Sequence, residues 1–256
     1  MTPPSSRSTP PLVAVIFDVD GTLVDSERDG HRVAFNRAFE ELGLPDRWGV
    51  EEYGRLLAIT GGERRLDTYL AGRVEDAAQR ARLAARLHAR KTALFHEMVV
   101  AGLVAPRPGV LRLLDELGGA GVRLAVATTG TRAWVLPLLA RVFGDARFET
   151  VITGDEAPDR KPDPSAYHLA MRELGLGAGG VVAIEDSRNG LIAARAAGLP
   201  CVVVVNDYTR HQDVAEAQLV LDGFGDEAAS AVALSNPSGL ALSPALDLDM
   251  LRRVVA

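Results

Sequence analysis

The sequence predicts an α/β protein: a parallel sheet flanked by helices, with an all-helical domain inserted after the first strand. Three observations predict it. Short, almost continuously apolar runs recur along the 256-residue chain, and strands covered on both faces read that way. Stretches with apolar residues at helical spacing separate those runs, and such alternation is the signature of a doubly wound sheet. The segment between residues 18 and 122 far exceeds the dozen or so residues that a parallel crossover needs, and it is too long for a loop.

Taken in order, residues 1–11 (MTPPSSRSTPP) read as a disordered tail without the apolar stretch of a signal peptide. LVAVIFD (12–18) is the first strand. Residues 27–104 form the helical insert. Within it, 31–42 aligns Phe35, Ala38, Phe39 and Leu42 on one stripe, with Gly43 as a stop. Residues 75–100 make a long amphipathic helix with Leu83, Leu87 and Leu94 among its apolar positions. Residues 12–26 and 105–256 together form the core domain. It continues with a helix at 109–120 and strands VRLAVATT (122–129) and FETVIT (148–153). The helix at 163–175 has Asp163 as N-cap, Pro164 in the first turn and Gly175 past its end. Tyr167, Ala170, Met171 and Leu174 form its apolar stripe. VVAIED (181–186), a helix over 188–198 ending at Gly198, CVVVV (201–205) and a weaker QLVLD (218–222) complete the pattern. The stretch up to the terminal ALSPALDLDMLRRVVA carries no assigned role, and no internal repeat is visible.

Composition narrows the function classes. Apolar residues make up 47% of the chain, enough for a sizeable core. The formal net charge of −6 argues against nucleic-acid binding, which needs a basic stripe. No apolar run approaches a membrane span. The single cysteine, Cys201, allows no intrachain disulfide and fits a reducing, cytoplasmic setting.

Ligands of open α/β sheets bind beyond the carboxyl ends of the strands. The residues that follow each run therefore matter most. After the first come Asp18, Asp20, Gly21 and Thr22; after the second, Thr128 and Thr129; after the third, a loop reaching Lys161-Pro162-Asp163-Pro164; at the end of the fourth, Glu185 and Asp186. The topology brings carboxylates, a hydroxyl and an ammonium to one edge. Carboxylates at that edge suit Mg²⁺, which takes one or two of them with substrate phosphate oxygens, while Lys and Thr suit an anion. A carboxylate such as Asp18 also serves as a nucleophile toward phosphorus once its charge is neutralised. Asp20, two residues on and on the same face, can exchange a proton with the leaving oxygen and the attacking water.

FDVDGTLVDS, strand-terminal Thr128, KPDP and EDSRNG resemble the four motifs of the haloacid dehalogenase superfamily, in order and at suitable spacing. The resemblance covers the core. It implies a Rossmann-like sheet with a mobile helical cap, Asp18 as nucleophile, Asp20 as acid and base, and Thr128 and Lys161 as phosphoryl holders. It also implies Mg²⁺ bound by Asp18, Asp186 and the main-chain carbonyl of Asp20, with Glu185 as a further ligand.

A narrower resemblance spans the chain to about Asp222. HRVAFNRAFEELGL, the Trp48 and Tyr53 region, LLAITGG, ATT and DYTRHQD are similar to the CbbY group. That likeness implies a small phosphorylated sugar as substrate, a pentulose bisphosphate such as xylulose 1,5-bisphosphate. It implies substrate contacts from Asp25, His31, Thr60, Gly61, Gly62, Arg65, Lys91 and Thr129. The chain is expected to be a monomer or weak oligomer. The chain departs from the group's TGGKER pattern: Glu63 stands in place of the lysine, with Arg64 next to it. Trp134 and Tyr208 are read as packing residues. Alternative readings are a β-phosphoglucomutase-like mutase, a phosphatase of another small phosphometabolite such as phosphoglycolate, and a non-catalytic sensor on the same fold. The cap lacks the mutase-like VSRxxSL pattern.

Overall fold

The computed structural model describes residues 11–59 and 61–256. The expected tail, except Pro11, and Thr60 lie outside the described residues. The chain divides into two compact units, one of Met1–Val24 and Pro106–Ala256, the other of Asp25–Ala105.

The first unit is built on a seven-stranded sheet. Its strands are β1 (Ala14–Phe17), β2 (Arg123–Ala127), β3 (Thr150–Ile152), β4 (Val181–Glu185), β5 (Cys201–Val204), β6 (Leu219–Leu221) and β7 (Ala233–Ser235). The order is β3-β2-β1-β4-β5-β6-β7. Every pair is parallel except β6–β7, which is antiparallel. The strand order reverses at β1, so β1 lies between β2 and β4 with Phe17 in register with Val126 and Ile184. That reversal opens a crevice at the strand ends.

All four residues of β1 and all five of β4 are buried. This is why these runs are apolar throughout and do not alternate. Around the sheet lie α5 (Val110–Gly119), α6 (Arg132–Phe143), α7 (Ser165–Leu174), α8 (Arg188–Ala196) and α9 (Leu248–Val254). One core cluster joins Ala14 and Ile16 of β1 and Ala125 and Ala127 of β2 to Tyr167, Ala170, Met171 and Leu174 of α7. The stripe expected on that helix is the face it buries. Each such large side chain contributes on the order of 1.5–3 kcal/mol when fully buried.

Most strands are shorter than the apolar runs that predict them; after β1, β2 and β4 the polar residues Asp18, Thr128 and Asp186 leave the ladder. The start of α7 also differs from the reading. Its N-cap is Pro164. Asp163 instead makes a turn just before the helix, accepting from the Ser165 N–H at 2.9 Å. Short Asp side chains favour such local bonds over helix formation.

The C-terminal stretch, unassigned from sequence, supplies β7 and α9. Asp247 caps α9 by accepting from Met250 N at 2.7 Å. Leu246, Met250 and Leu251 are buried. Arg112 of α5 donates to the Leu246 carbonyl at 2.6 Å, and Glu116 accepts from Leu248 N at 3.1 Å.

The second unit is helical: a π-helical turn Glu27–His31, then α1 (Arg32–Glu41), α2 (Val50–Leu56), α3 (Gly62–Leu70) and α4 (Ala77–Val100). Phe35 and Phe39 of α1 meet Trp48 at ring-centroid distances of 4.8 and 4.9 Å. Tyr53 and Tyr69 close the same aromatic cluster. No helix of the described residues is long and apolar enough to cross a membrane.

Candidate active site

The site begins where β1 stops. Asp18 follows Phe17 directly, and its N–H still bonds to the Ile184 carbonyl at 3.0 Å. The chain then turns sharply: Gly21 has φ of 82°, and a Cβ there would collide with the Asp186 carboxylate and the Asn206 amide. The motif glycine is thus required both by its left-handed backbone and by that close approach. Thr128 follows β2, is buried, and accepts from the Gly130 N–H at 3.1 Å through its hydroxyl. Thr129, next along the same loop, is half-buried.

Lys161 arrives from the loop before α7, 143 residues beyond Asp18. Its side chain is buried, and Nζ donates to Asp18 Oδ1 (2.7 Å), Glu185 Oε1 (2.5 Å) and the Ala127 carbonyl (2.7 Å). All three ammonium donors are therefore used. Tyr167 donates to the same Glu185 oxygen at 2.6 Å. The second glycine of consequence is Gly190, in the first turn of α8, where a Cβ would fall on the Glu185 carboxylate. Ser187 caps that helix by accepting from Gly190 N at 3.2 Å. Asp186 is buried and accepts from Asn206 Nδ2 at 2.7 Å.

Charge is unbalanced in this cluster. Asp18, Glu185 and Asp186 each present an oxygen within 4.8 Å of the others. Burial pushes the Asp18 carboxyl up to about 7; Lys161 opposes the shift, while Glu185 and Asp20 reinforce it. Burial also pushes Asp186 well up, with Asp18 and Glu185 adding to it against Arg107 and Asn206. Burial works against the Lys161 charge, yet Asp18 and Glu185 outweigh it and hold the ammonium above the ordinary lysine value. One lysine does not neutralise three crowded carboxylates. The residues present therefore fit a small divalent cation: hard oxygen donors converge with excess negative charge.

The structure gathers Asp18, Lys161, Glu185 and Asp186 through short contacts, with Thr128 adjacent to the Ala127 carbonyl that Lys161 holds. Asp20 lies in the turn, half-buried, in an isolated bridge with Val24.

The remaining expected residues belong to the helical unit. Asp25 accepts from Arg28 N at 3.4 Å. His31 is buried, its ring 3.9 Å from that of Phe95. Lys91 is buried with Nζ 5.0 Å from the Phe35 ring centroid and 5.5 Å from that of Phe95. Arg65 is buried, donating to the Leu56 carbonyl at 3.0 Å and to the Tyr53 hydroxyl at 3.4 Å. Gly61 (φ 90°) precedes α3, and Gly62 begins it against the His88 ring. Glu63 and Arg64 are exposed. His88 is pushed down by burial, with Lys91, His31 and Arg65 adding to the effect and Glu63 opposing it. Lys91 and Arg65 are thus brought near the His88 ring, with Glu63 also close enough to act on it.

Sequence reasoning missed Tyr167 as a polar residue, Arg107 and Asn206. Asn206 had a usable signal: it stands just past the fifth apolar run, where each other central run had yielded a site residue. Tyr167 is hidden by its place on an apolar stripe, and Arg107 by the absence of any motif.

A family model described as a haloacid dehalogenase-like hydrolase matches residues 12–198. The chain belongs to that family and is an enzyme, a phosphatase. Within the family it stands with the CbbY proteins. It is 43% identical over 218 residues to CbbY of Cereibacter sphaeroides, across 84% of this chain and 94% of the relative. It is 41% identical to a CBBY-like protein of Arabidopsis thaliana, across 87% of this chain and 72% of the relative. CbbY of Rhodobacter sphaeroides, crystallised as a variant with xylulose-1,5-bisphosphate, matches with a TM-score of 0.72 at 38% identity, covering 90% of this chain and all of that one.

Proposed function

We propose that the protein is a Mg²⁺-dependent, cytoplasmic phosphatase of a small phosphorylated sugar, a pentulose bisphosphate such as xylulose 1,5-bisphosphate, working through an aspartyl phosphate on Asp18. The observation that carries this reading is the buried contact of the Lys161 ammonium with Asp18 at 2.7 Å inside a cluster of three carboxylates. The likeness to CbbY supports the substrate class.

Asp18, Asp186 and the main-chain carbonyl of Asp20 would hold the metal, with Glu185 as the further acid. When bound, Mg²⁺ supplies charge neutralisation at the phosphoryl oxygens. Asp18 attacks phosphorus; the Asp18–phosphorus bond forms as the bond to the sugar oxygen breaks. Asp20 gives its proton to that leaving oxygen. Asp20 then takes a proton from water as the water oxygen attacks phosphorus, releasing phosphate and restoring the Asp18 carboxylate. Lys161 and the Thr128 hydroxyl stabilise the transferring group, and Thr129 contacts it. In the helical unit, Asp25, His31, Gly61, Gly62, Arg65 and Lys91 recognise the rest of the substrate. Thr60, expected with them, lies outside the described residues.

Phosphate release from xylulose 1,5-bisphosphate, phosphoglycolate and glucose 1-phosphate tests the proposal. Mg²⁺-dependent release fastest from the bisphosphate is expected. Conversion of glucose 1-phosphate to the 6-phosphate without free phosphate, given a trace of the 1,6-bisphosphate, would replace it with a mutase.

A further inference from the structure

The turn that carries Asp18 and Asp20 is held from behind by residues outside the four motifs. The Gly21 carbonyl accepts from Arg107 Nη1 at 2.5 Å and from Asn206 Nδ2 at 3.3 Å. The same guanidinium donates to the Val204 carbonyl at 2.8 Å and the Val205 carbonyl at 2.7 Å, at the end of β5. The Arg107 main-chain N–H donates to the Leu23 carbonyl at 2.9 Å. Its carbon Cζ sits 5.4 Å from the Phe224 ring centroid. One side chain thus fastens the turn after β1 to the last residue of β5 and the residue that follows it, across the intervening β4. A guanidinium reaches the three carbonyls through two separate nitrogens held in a rigid plane, a spread that the single ammonium nitrogen of a lysine does not reproduce.

Asn206 follows Val205 and has its orientation dictated. Its Oδ1 accepts from the N–H groups of Tyr208 (2.9 Å) and Thr209 (3.2 Å), and its own N–H donates to the Thr209 hydroxyl at 3.0 Å. With the oxygen occupied, only the Nδ2 end can face Asp186, which it reaches at 2.7 Å. The amide therefore donates to one Asp186 oxygen, and this restricts how the carboxylate can rotate.

We infer that Arg107 and Asn206 are positioning residues for the phosphatase reaction: Arg107 sets the turn bearing Asp18 and Asp20 against the end of β5, and Asn206 aims the Asp186 carboxylate. This rests on the function proposed above. A purely structural role for the pair would cost stability but leave metal affinity and the balance of kcat and KM unchanged in the folded protein.

The experiment is Mg²⁺ titration by calorimetry and steady-state kinetics on the full chain, for the unmodified protein, Asn206→Ala and Arg107→Lys, below each variant's melting temperature. Loss of a partner that orients a ligand typically costs about 10-fold or more in metal affinity or activity. Asn206→Ala is expected to raise the Mg²⁺ Kd by about 10-fold. Arg107→Lys keeps the charge and loses the fork; its kcat is expected to fall by about 10-fold with KM nearly unchanged. Where Asn206→Ala does not fold, Asn206→Ser is titrated instead. An Asn206 variant with a Mg²⁺ Kd within about threefold of the unmodified protein, or Arg107→Lys with kcat within the same margin, overturns that residue's assignment. An unmodified chain that binds no Mg²⁺ overturns both this inference and the proposed function.

Discussion

The two units bury different charged groups. In the sheet unit, carboxylates crowd around one lysine, and burial drives Asp18 and Asp186 toward their protonated forms. In the helical unit, Lys91 and Arg65 are buried, Lys91 beside the Phe35 and Phe95 rings and Arg65 against the Leu56 carbonyl and the Tyr53 ring. Aromatic faces are attractive partners for a buried cation. Under the proposed function the difference divides the substrate: the crowded carboxylates take a divalent cation, and Arg65 and Lys91 meet an anionic group. Motif strength follows the same division. Ligating a metal fixes residue types narrowly, whereas an anion can be met by several cations from several positions.

The largest expected effect is in the sheet unit. Asp18→Asn should lower kcat by about 1,000-fold or more while leaving substrate binding measurable, because it removes the nucleophile along with one carboxylate of the proposed metal set. Phosphate release and substrate titration check this; retention of substantial turnover would break the contrast between the units.

Lys161→Ala should follow, with kcat down by about 100-fold or more, since the transferring group loses a fixed charge. It also leaves buried Asp18 and Glu185 without their cation, a change that costs about 3–5 kcal/mol when a buried pair is broken. Thermal melting in Mg²⁺-free buffer measures that cost.

A smaller effect is expected from the helical unit. Lys91→Ala should raise KM for xylulose 1,5-bisphosphate by about 10-fold and leave kcat within a few-fold, because the interaction serves binding more than the chemical step. Equal losses in kcat and KM from Lys91→Ala would erase the proposed division of labour.

The smallest effect is in pH dependence. The folded-state pKa of Asp18, about 7, lies above the unfolded value near 3.8. The metal-free fold therefore binds more protons than the unfolded chain in that window, and its stability should fall as pH rises from about 4 to 7. Asp186, pushed the same way, adds to the slope. Melting temperatures in chelator across this range should decline, less steeply for Asp18→Asn, and saturating Mg²⁺ should flatten the decline. A rise would show that the carboxylate cluster is not under electrostatic strain.

Legibility differed by element. β1, β2, β4 and β5 were readable because burial on both faces leaves an unbroken apolar run. α7 was readable because its stripe, Pro164 and Gly175 agree, although its start shifted past Asp163. β7, α2, α3, α6 and α9 were not assigned. β7 has three residues with partial exposure and no apolar run to mark it. α6 carries Pro137 inside it, a residue that argues against a helix until packing overrides local preference.

By itself the sequence determined the α/β class, the helical insertion and the identities of the acids, hydroxyl and lysine at the strand ends, since these follow from local periodicity and from motifs a few residues long. Tertiary structure alone decided that Lys161 spends its three donors on Asp18, Glu185 and Ala127, that Tyr167 turns a polar tip toward Glu185, and that Arg107 and Asn206 hold the Gly21 carbonyl in the turn after β1. Those contacts join residues tens to well over a hundred positions apart. Nothing in a local window encodes them, and they exist only once the sheet has set the strand order.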